Sequence, residues 1–203
     1  MKFLSYIAAA FGVLVLSFFV QDPIKGEQWA DQSEKISNEI TQKISKKLQK
    51  EDGLYLMGTG GGIDDTIREV YLGFFLYHPM DLEETRKFIV FLMNKIVEEV
   101  NEHIEWVPYF IEYPVSTKSF HVDVFIKNAD RSNVLLNEID FVSCVNNRIR
   151  YSVAQELIMG PAKTIRIETY QEAVDILCSQ GKAPSGVPCK APEASVKRAT
   201  DAE

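Results

Sequence analysis

The sequence predicts an α+β protein with a mainly antiparallel sheet of five to seven strands and one long core helix packed on it. A transmembrane helix and a juxtamembrane helix precede this domain. Three observations predict the class: a long uncharged run opens the chain, alternating polar and apolar residues fill its centre, and one long segment repeats apolar residues at helical spacing. Four parts follow: a signal-anchor (1–20), a juxtamembrane link with an amphipathic helix (21–52), a globular domain (53–179) and a disordered tail (180–203).

The first 20 residues predict the location of the protein. Residues 3–20 carry no charge, and a helix of this length is about 27 Å long, enough to cross the hydrocarbon core of a bilayer. The small residues that signal cleavage requires are missing after the run, so we favour an uncleaved anchor over a secreted product. Lys2 keeps the N-terminus cytoplasmic and places the body on the extracytoplasmic side. The chain has no Asn-x-Ser/Thr site, which suits a bacterial envelope.

The predicted amphipathic helix extends from Asp31 to Glu51. Four apolar residues recur in it at intervals of four: Ile36, Ile40, Ile44 and Leu48. This narrow stripe is typical of a helix packed by one edge on the domain. A stalk or a dimerising helix beneath the anchor is the alternative, so self-association stays open, although the heptad spacing of a coiled coil is missing.

The stretch "MGTGGGIDD" follows, with four glycines and two carboxylates. A phosphate-binding Walker loop needs Lys and Ser/Thr after its last glycine, and a dinucleotide fingerprint needs glycine where Ile63 stands. No G-x-S-x-G nucleophile is present to use an oxyanion loop. We interpret 58–65 as a mobile acidic connection between two strands. The alternative is a ligand-binding loop made by Gly60, Gly61, Gly62, Asp64 and Asp65.

A central strand and the clearest helix of the chain come next. Residues 66–77 predict the strand, because apolar side chains occupy both of its faces, and Pro79 ends it. Asp81 and Glu84 have the spacing of a capping box at the start of the helix, which extends to Ile104. The wide apolar stripe of this helix predicts that it packs across the sheet.

The remaining strands are predicted by alternation and by a turn. Residues 119–127 alternate cleanly between apolar and polar. A hairpin turns at Asn146 and Asn147, because asparagine tolerates the positive φ of tight turns. The register that follows pairs Cys144 with Ile149 and places the cysteine inside the domain.

The end of the domain is a strand at 163–169 and a short helix that ends at Cys178. A capping box at Thr169 begins this helix. The tail that follows is rich in proline and poor in large apolar residues. It cannot bury enough apolar surface to offset the entropy lost on ordering, so we predict that it is disordered. Cys189 lies in this tail and either forms a disulfide with Cys178 or stays a free thiol.

Few residues suggest chemistry. His121 and Asp123 lie two apart on one strand face and are candidates for a metal or acid–base pair, although such pairs are more often solvated surface. No H-E-x-x-H, C-x-x-C or nucleophile motif is present, and no cofactor is predicted.

Because no catalytic motif is found, the function is predicted from the composition of the chain and from its predicted membrane anchor. Lysine and arginine number 22 against 29 aspartate and glutamate, and the net charge of −7, without a concentrated basic run, excludes nucleic-acid binding. We favour a non-catalytic binding or structural module of the envelope, attached to the membrane through 3–20 and acting on a protein partner. The alternative is an exported hydrolase or a small-ligand or metal-binding enzyme that uses 58–65.

Overall fold

The computed structural model describes residues 23–155 and 163–189, with side chains from Ala30 onward. The predicted transmembrane helix at 3–20 and most of the predicted tail lie outside these residues. Among the helices described, none is both long enough and apolar enough to span a bilayer.

The fold is α+β, as the sequence predicts, and six strands form one mixed sheet. The elements follow in this order: α1 (Pro23–Asp52), β1 (Leu54–Ile63), β2 (Ile67–Leu76), α2 (Leu82–Glu102), two 3-10 helices (Ile104–Tyr109 and Thr117–Ser119), β3 (Phe120–Ile126), β4 (Ile139–Val145), β5 (Arg148–Val153), β6 (Lys163–Thr169) and α3 (Tyr170–Ser179). The strand order in the sheet is the order in the chain. Four of the five pairings are antiparallel, and β2 with β3 is parallel. A parallel pair needs a long crossover, which α2 and the two 3-10 helices supply.

The glycine segment is the main correction to the sequence prediction. Residues 58–62 are not a mobile connection but the second half of β1, paired with β2 from Gly58↔Gly73 to Gly62↔Glu69. The connection itself is the short turn at 64–66. Glycine clusters usually indicate turns because of their conformational freedom, but none of these glycines uses a positive φ.

Helix α1 also begins earlier than the sequence predicts. The expected link up to residue 30 is helical from Pro23, because proline suits the first turn of a helix. The apolar stripe packs into the core: Ile40, Ile44 and Leu48 are all buried. Within the described residues α1 is therefore a packed helix of the domain rather than a free stalk.

The core lies between the helices and one face of the sheet. Helix α2 begins with the predicted capping box at Asp81 and buries Ile89, Leu92 and Ile96. The residues of β2 that point to the same side of the sheet are fully buried: Val70, Leu72 and Phe74. No described helix covers the other face of the sheet, whose side chains range from buried Ser143 to exposed Arg150.

The β4–β5 hairpin confirms the predicted register. Asn146 and Asn147 have φ of 48° and 60°, and Cys144 pairs with Ile149. Cys144 is fully buried, and burial raises the pKa of its thiol to about 12, so it behaves as a small apolar residue.

The first part of the predicted disordered tail has a defined path. A disulfide joins Cys178 to Cys189, with the two Cα atoms 5.6 Å apart. Lys182 forms a salt bridge of 2.6 Å with Glu83 of α2, and Val187 is 9% exposed. Composition predicts disorder here because apolar residues are few, but a covalent tie to α3 lowers the entropy that ordering must overcome.

Candidate functional site

The two edges of the sheet differ in how they are protected. Exposed edge strands usually carry charges, prolines or bulges that prevent another chain from pairing with them. The edge strand β6 carries Lys163, Arg166 and Glu168. The edge strand β1 is ten residues long and contains no charge and no proline, and its pairing with β2 shifts register between Leu56 and Gly58 and between Gly62 and Ile63. It also has three adjacent side chains that are each 43% exposed: Tyr55, Leu56 and Met57. Between the two shifts, from Gly58 to Gly62, the β1 edge is regular and carries no charged side chain that would block a further strand.

A groove of about 400 Å³ lies beside this edge, between β1 and α1. We call it the α1–β1 groove. Its strand side consists of Thr59, Gly60 and Gly61, and its helix side includes Asp31, Glu34 and Ser37. Because two of the strand residues lack side chains, the strand side of the groove is largely backbone. Backbone amides and carbonyls are the groups that pair with an incoming strand.

The glycines that the sequence suggests as ligand contacts have different roles. Gly61 lies so close to β2 that a Cβ there would be 2.2 Å from the carbonyl oxygen of Glu69. Gly60 and Gly62 have room for a Cβ, whose nearest neighbours would be 3.7 Å away on Tyr71 and 3.9 Å away on Arg68. Gly60 and Gly61 line the α1–β1 groove, whereas Gly62 is not among its lining residues.

The two aspartates after the glycines belong to the turn that follows β1. The Asp64 carboxylate lies at the end of the α1–β1 groove and is 2.7 Å from the guanidinium of Arg68, in a pair that is mostly exposed. Exposed pairs of this kind add little stability. The backbone carbonyl of Asp65 accepts a hydrogen bond of 2.9 Å from the Ser33 hydroxyl. This bond fixes the turn against α1.

His121 and Asp123 lie on β3, on the sheet face opposite the helices. Nε2 of His121 is 3.1 Å from Oδ1 of Asp123, and Nδ1 is 3.7 Å from Oε1 of Glu69. The parallel pairing of β2 and β3 puts Tyr71 directly opposite His121, with the ring centroids 4.9 Å apart. Burial, the charge of Asp123 and hydrogen bonding to its carboxylate raise the pKa of Tyr71. The sequence pattern does not reveal Tyr71 as a member of this cluster, because the strand pairing is needed to find it.

The candidate residues do not form a single cleft. Asp64 faces the groove beside α1, whereas His121 and Asp123 lie on the opposite face of the sheet. Over the described residues, no group of three or more His, Cys, Asp or Glu side chains is placed to hold a metal ion.

A row of aromatic side chains crosses the uncovered face of the sheet. Residues paired across four strands contribute Tyr55, Phe75, Phe125 and Phe141. Ring centroids are 5.8 Å apart between Phe75 and Phe125 and 4.9 Å apart between Phe125 and Phe141. Such pairs stabilise neighbouring strands, and they leave a partly exposed apolar surface next to the β1 edge.

Together the fold and the geometry define an α+β domain with one protected sheet edge, one unprotected edge and a polar groove beside the latter. Comparison with protein-family models, with curated proteins and with solved structures finds no match for this chain. Function is therefore inferred from the groove, the edge and the open face.

Proposed function

We propose that the protein is a membrane-anchored, non-catalytic binding module whose β1 edge receives an extended segment of a protein partner. One observation carries the proposal: β1 is a ten-residue edge strand without charge or proline. An incoming segment would extend the sheet by one strand through main-chain hydrogen bonds, which is a common mode of peptide recognition. The adjacent apolar side chains Tyr55 and Met57 would add buried area.

The anchor belongs to the same proposal. Residues 3–20 would hold the body on the extracytoplasmic side of a bacterial envelope, where the partner segment is met. A fractionation experiment tests this: the full chain should stay in the membrane pellet after a high-salt wash and leave it only with detergent. Recovery of the body in a detergent-free soluble fraction, with its N-terminus cleaved, would contradict the anchor.

Strand addition is tested with displayed random peptides selected on the full chain in detergent. Amide hydrogen exchange on the selected complexes should show new protection in β1 residues. Thr59→Lys places a charge on the edge strand beside the groove and should abolish binding. Thr164→Lys makes the same change on the other edge strand, β6, and should leave binding unchanged. Equal binding by the two variants, or protection at another element, would contradict the proposal.

A second candidate function is favoured by one observation, the contact of His121 and Tyr71 with Asp123. A polar cluster on an open sheet face is also compatible with an exported hydrolase or a small-ligand or metal-binding enzyme. A thermal-shift screen against divalent metals and metabolites tests this candidate. A ligand-dependent rise in Tm that His121→Ala removes would support it. If Asp64→Ala and Asp65→Ala remove the rise instead, the ligand binds at the turn after β1. Without any rise, this candidate is rejected.

A further inference from the structure

We infer that the segment bound in the α1–β1 groove is a basic one, with lysine or arginine side chains along an extended backbone. This inference rests on the proposed strand addition and names the chemistry of the partner. It is argued from the charges of the groove, from one hydroxyl that lines it and from the geometry of the strand side.

The charges that line the groove are negative. Asp31 and Glu34 are exposed on the groove side of α1, and Asp64 lies at the end of the groove. Asp64 is paired with Arg68, whereas neither Asp31 nor Glu34 forms a salt bridge with any residue whose side chain the structure describes. The edge strand itself carries no charge. A lysine or arginine on an incoming segment would therefore meet two carboxylates that have no competing partner there.

One hydroxyl that lines the groove has no hydrogen-bond partner among the described residues. Ser37 is 4% exposed and lines the groove, yet its hydroxyl makes no hydrogen bond with the described residues. Its neighbours along the same helix edge differ, because the Ser33 hydroxyl donates to the carbonyl of Asp65 and the Thr41 hydroxyl to that of Asn38. A backbone group of an incoming segment would offer this hydroxyl a partner in place of water.

The strand side admits another backbone at close range. Paired strands lie about 4.8 Å apart, so side chains that fold over an edge would block the approach. At Gly60 and Gly61 there is no side chain to do so, and neither residue has a positive φ. The pairing with β2 is regular from Gly58 to Gly62, so this extended stretch can be matched by another backbone.

The same charges make a second copy of the chain a poor occupant. Pairing β1 with β1 of a second copy would bring together two chains that each carry a net charge of −7. Like charges brought together at an interface are unfavourable. A basic segment meets the opposite situation.

The inference is tested by fluorescence anisotropy on the full chain in detergent. The probe is a labelled peptide of alternating valine and lysine, long enough to pair with all of β1, and its comparison is the same peptide with glutamate for lysine. Glu34→Lys should weaken binding of the lysine peptide by about ten-fold or more, because it reverses a charge in the groove. Glu39→Lys makes the same change in net charge on an exposed α1 residue outside the groove, and binding should stay within about two-fold of the unmodified chain.

Each outcome separates this inference from the proposed function. Suppose that β1 gains exchange protection, but Glu34→Lys and Glu39→Lys bind the lysine peptide equally or the glutamate peptide binds as tightly as the lysine peptide. Strand addition then stands, and the basic partner is overturned. If β1 gains no protection from either peptide, strand addition fails as well. A chain truncated after Cys189 that binds about ten-fold more tightly would identify the chain's own terminal residues as the occupant and overturn the inference. A dimer with protected β1 in the absence of peptide would also overturn it.

Discussion

Replacing Gly61 by alanine should destabilise the protein strongly, whereas the same change at Gly62, one residue further along β1, should not. The structure puts an alanine Cβ at position 61 only 2.2 Å from the carbonyl oxygen of Glu69, 3.3 Å from its carbonyl carbon and 3.5 Å from the Cα of Val70. All three atoms belong to the backbone of β2, so no side chain can rotate away. At position 62 the nearest atom is the Cβ of Arg68 at 3.9 Å, which is ordinary contact.

The magnitude follows from the displacement that the clash requires. Ordinary van der Waals contact begins at 3.4 Å, so β1 and β2 would have to separate locally by about 1.2 Å. A shift of this size overstretches the hydrogen bonds next to Gly61, each worth about 1 kcal/mol. Overpacking adds about 1–3 kcal/mol, and we expect a total near 3 kcal/mol. For a chain of this size the melting temperature should then fall by about 6–12 °C. Gly62→Ala causes no clash, and alanine restricts the unfolded chain more than glycine does. We therefore expect the free energy of unfolding to rise by less than about 1 kcal/mol.

Urea unfolding of both variants, followed by circular dichroism, measures the difference in the free energy of unfolding. Gly58→Ala is a second control, since no atom lies within 4 Å of its Cβ position. If Gly61→Ala is as stable as Gly62→Ala, then the close approach of β1 to β2 is wrong, and with it the assignment of the glycines to an edge strand.

Two further predictions concern β6 and the disulfide that follows α3. Glu168 is buried and accepts hydrogen bonds from Arg86, Tyr151 and Arg166. Burial alone would raise the pKa of Glu168. The hydrogen bonds outweigh this effect, so the pKa lies below its ordinary value. Glu168→Gln should cost about 3 kcal/mol at neutral pH, because it leaves the buried charge of Arg86 without a carboxylate counter-ion. Urea midpoints should show this cost shrinking as pH falls through the lowered pKa of Glu168, where the unmodified carboxyl is also uncharged. A cost that does not depend on pH would refute this. Reducing the Cys178–Cys189 disulfide should lower stability by about 2–3 kcal/mol, measured by urea unfolding with and without dithiothreitol, and the Cys189→Ser variant should show no response to the reductant.

The features that sequence could predict are those decided within a few residues. The capping box at Asp81 needs only a glutamate three positions later, and both of its hydrogen bonds are formed. The turn at Asn146 and Asn147 fixes the register of its two strands, because a shift by one residue would turn every side chain to the opposite face. Helical spacing likewise predicted the buried edge of α1.

Features that depend on distant partners could not be predicted in this way. The parallel pairing of β2 and β3 brings Tyr71 beside His121, and nothing in either strand alone specifies this neighbour. Glu99, near the end of α2, is 6% exposed and paired with Lys47 of α1, a partner that the sequence of α2 alone does not specify. Long-range pairs follow from how the helices cross the sheet, which local patterns do not determine.

The glycine segment failed as a prediction for a different physical reason. Glycine is used both where the backbone needs a positive φ and where no Cβ fits, and the sequence does not distinguish the two. Gly61 belongs to the second kind, and Gly53, with φ of 68° just before β1, belongs to the first. A cluster of glycines next to two carboxylates therefore resembles a loop even when it forms a strand.

The contrast between the two edges links this local geometry to the proposed function. On β6, Ile165 and Ile167 are about half exposed, but Lys163, Arg166 and the buried bond of Glu168 to α2 hold the strand and discourage pairing. On β1 the strand carries no charge and no proline, and its regular stretch from Gly58 to Gly62 would be a site of self-association in a neutral protein. In this chain the protection comes from α1, whose carboxylates lie along the groove rather than on the strand. These carboxylates repel a second copy of this acidic chain and attract a basic segment. The same side chains therefore oppose pairing of β1 with another β1 and favour a basic partner strand.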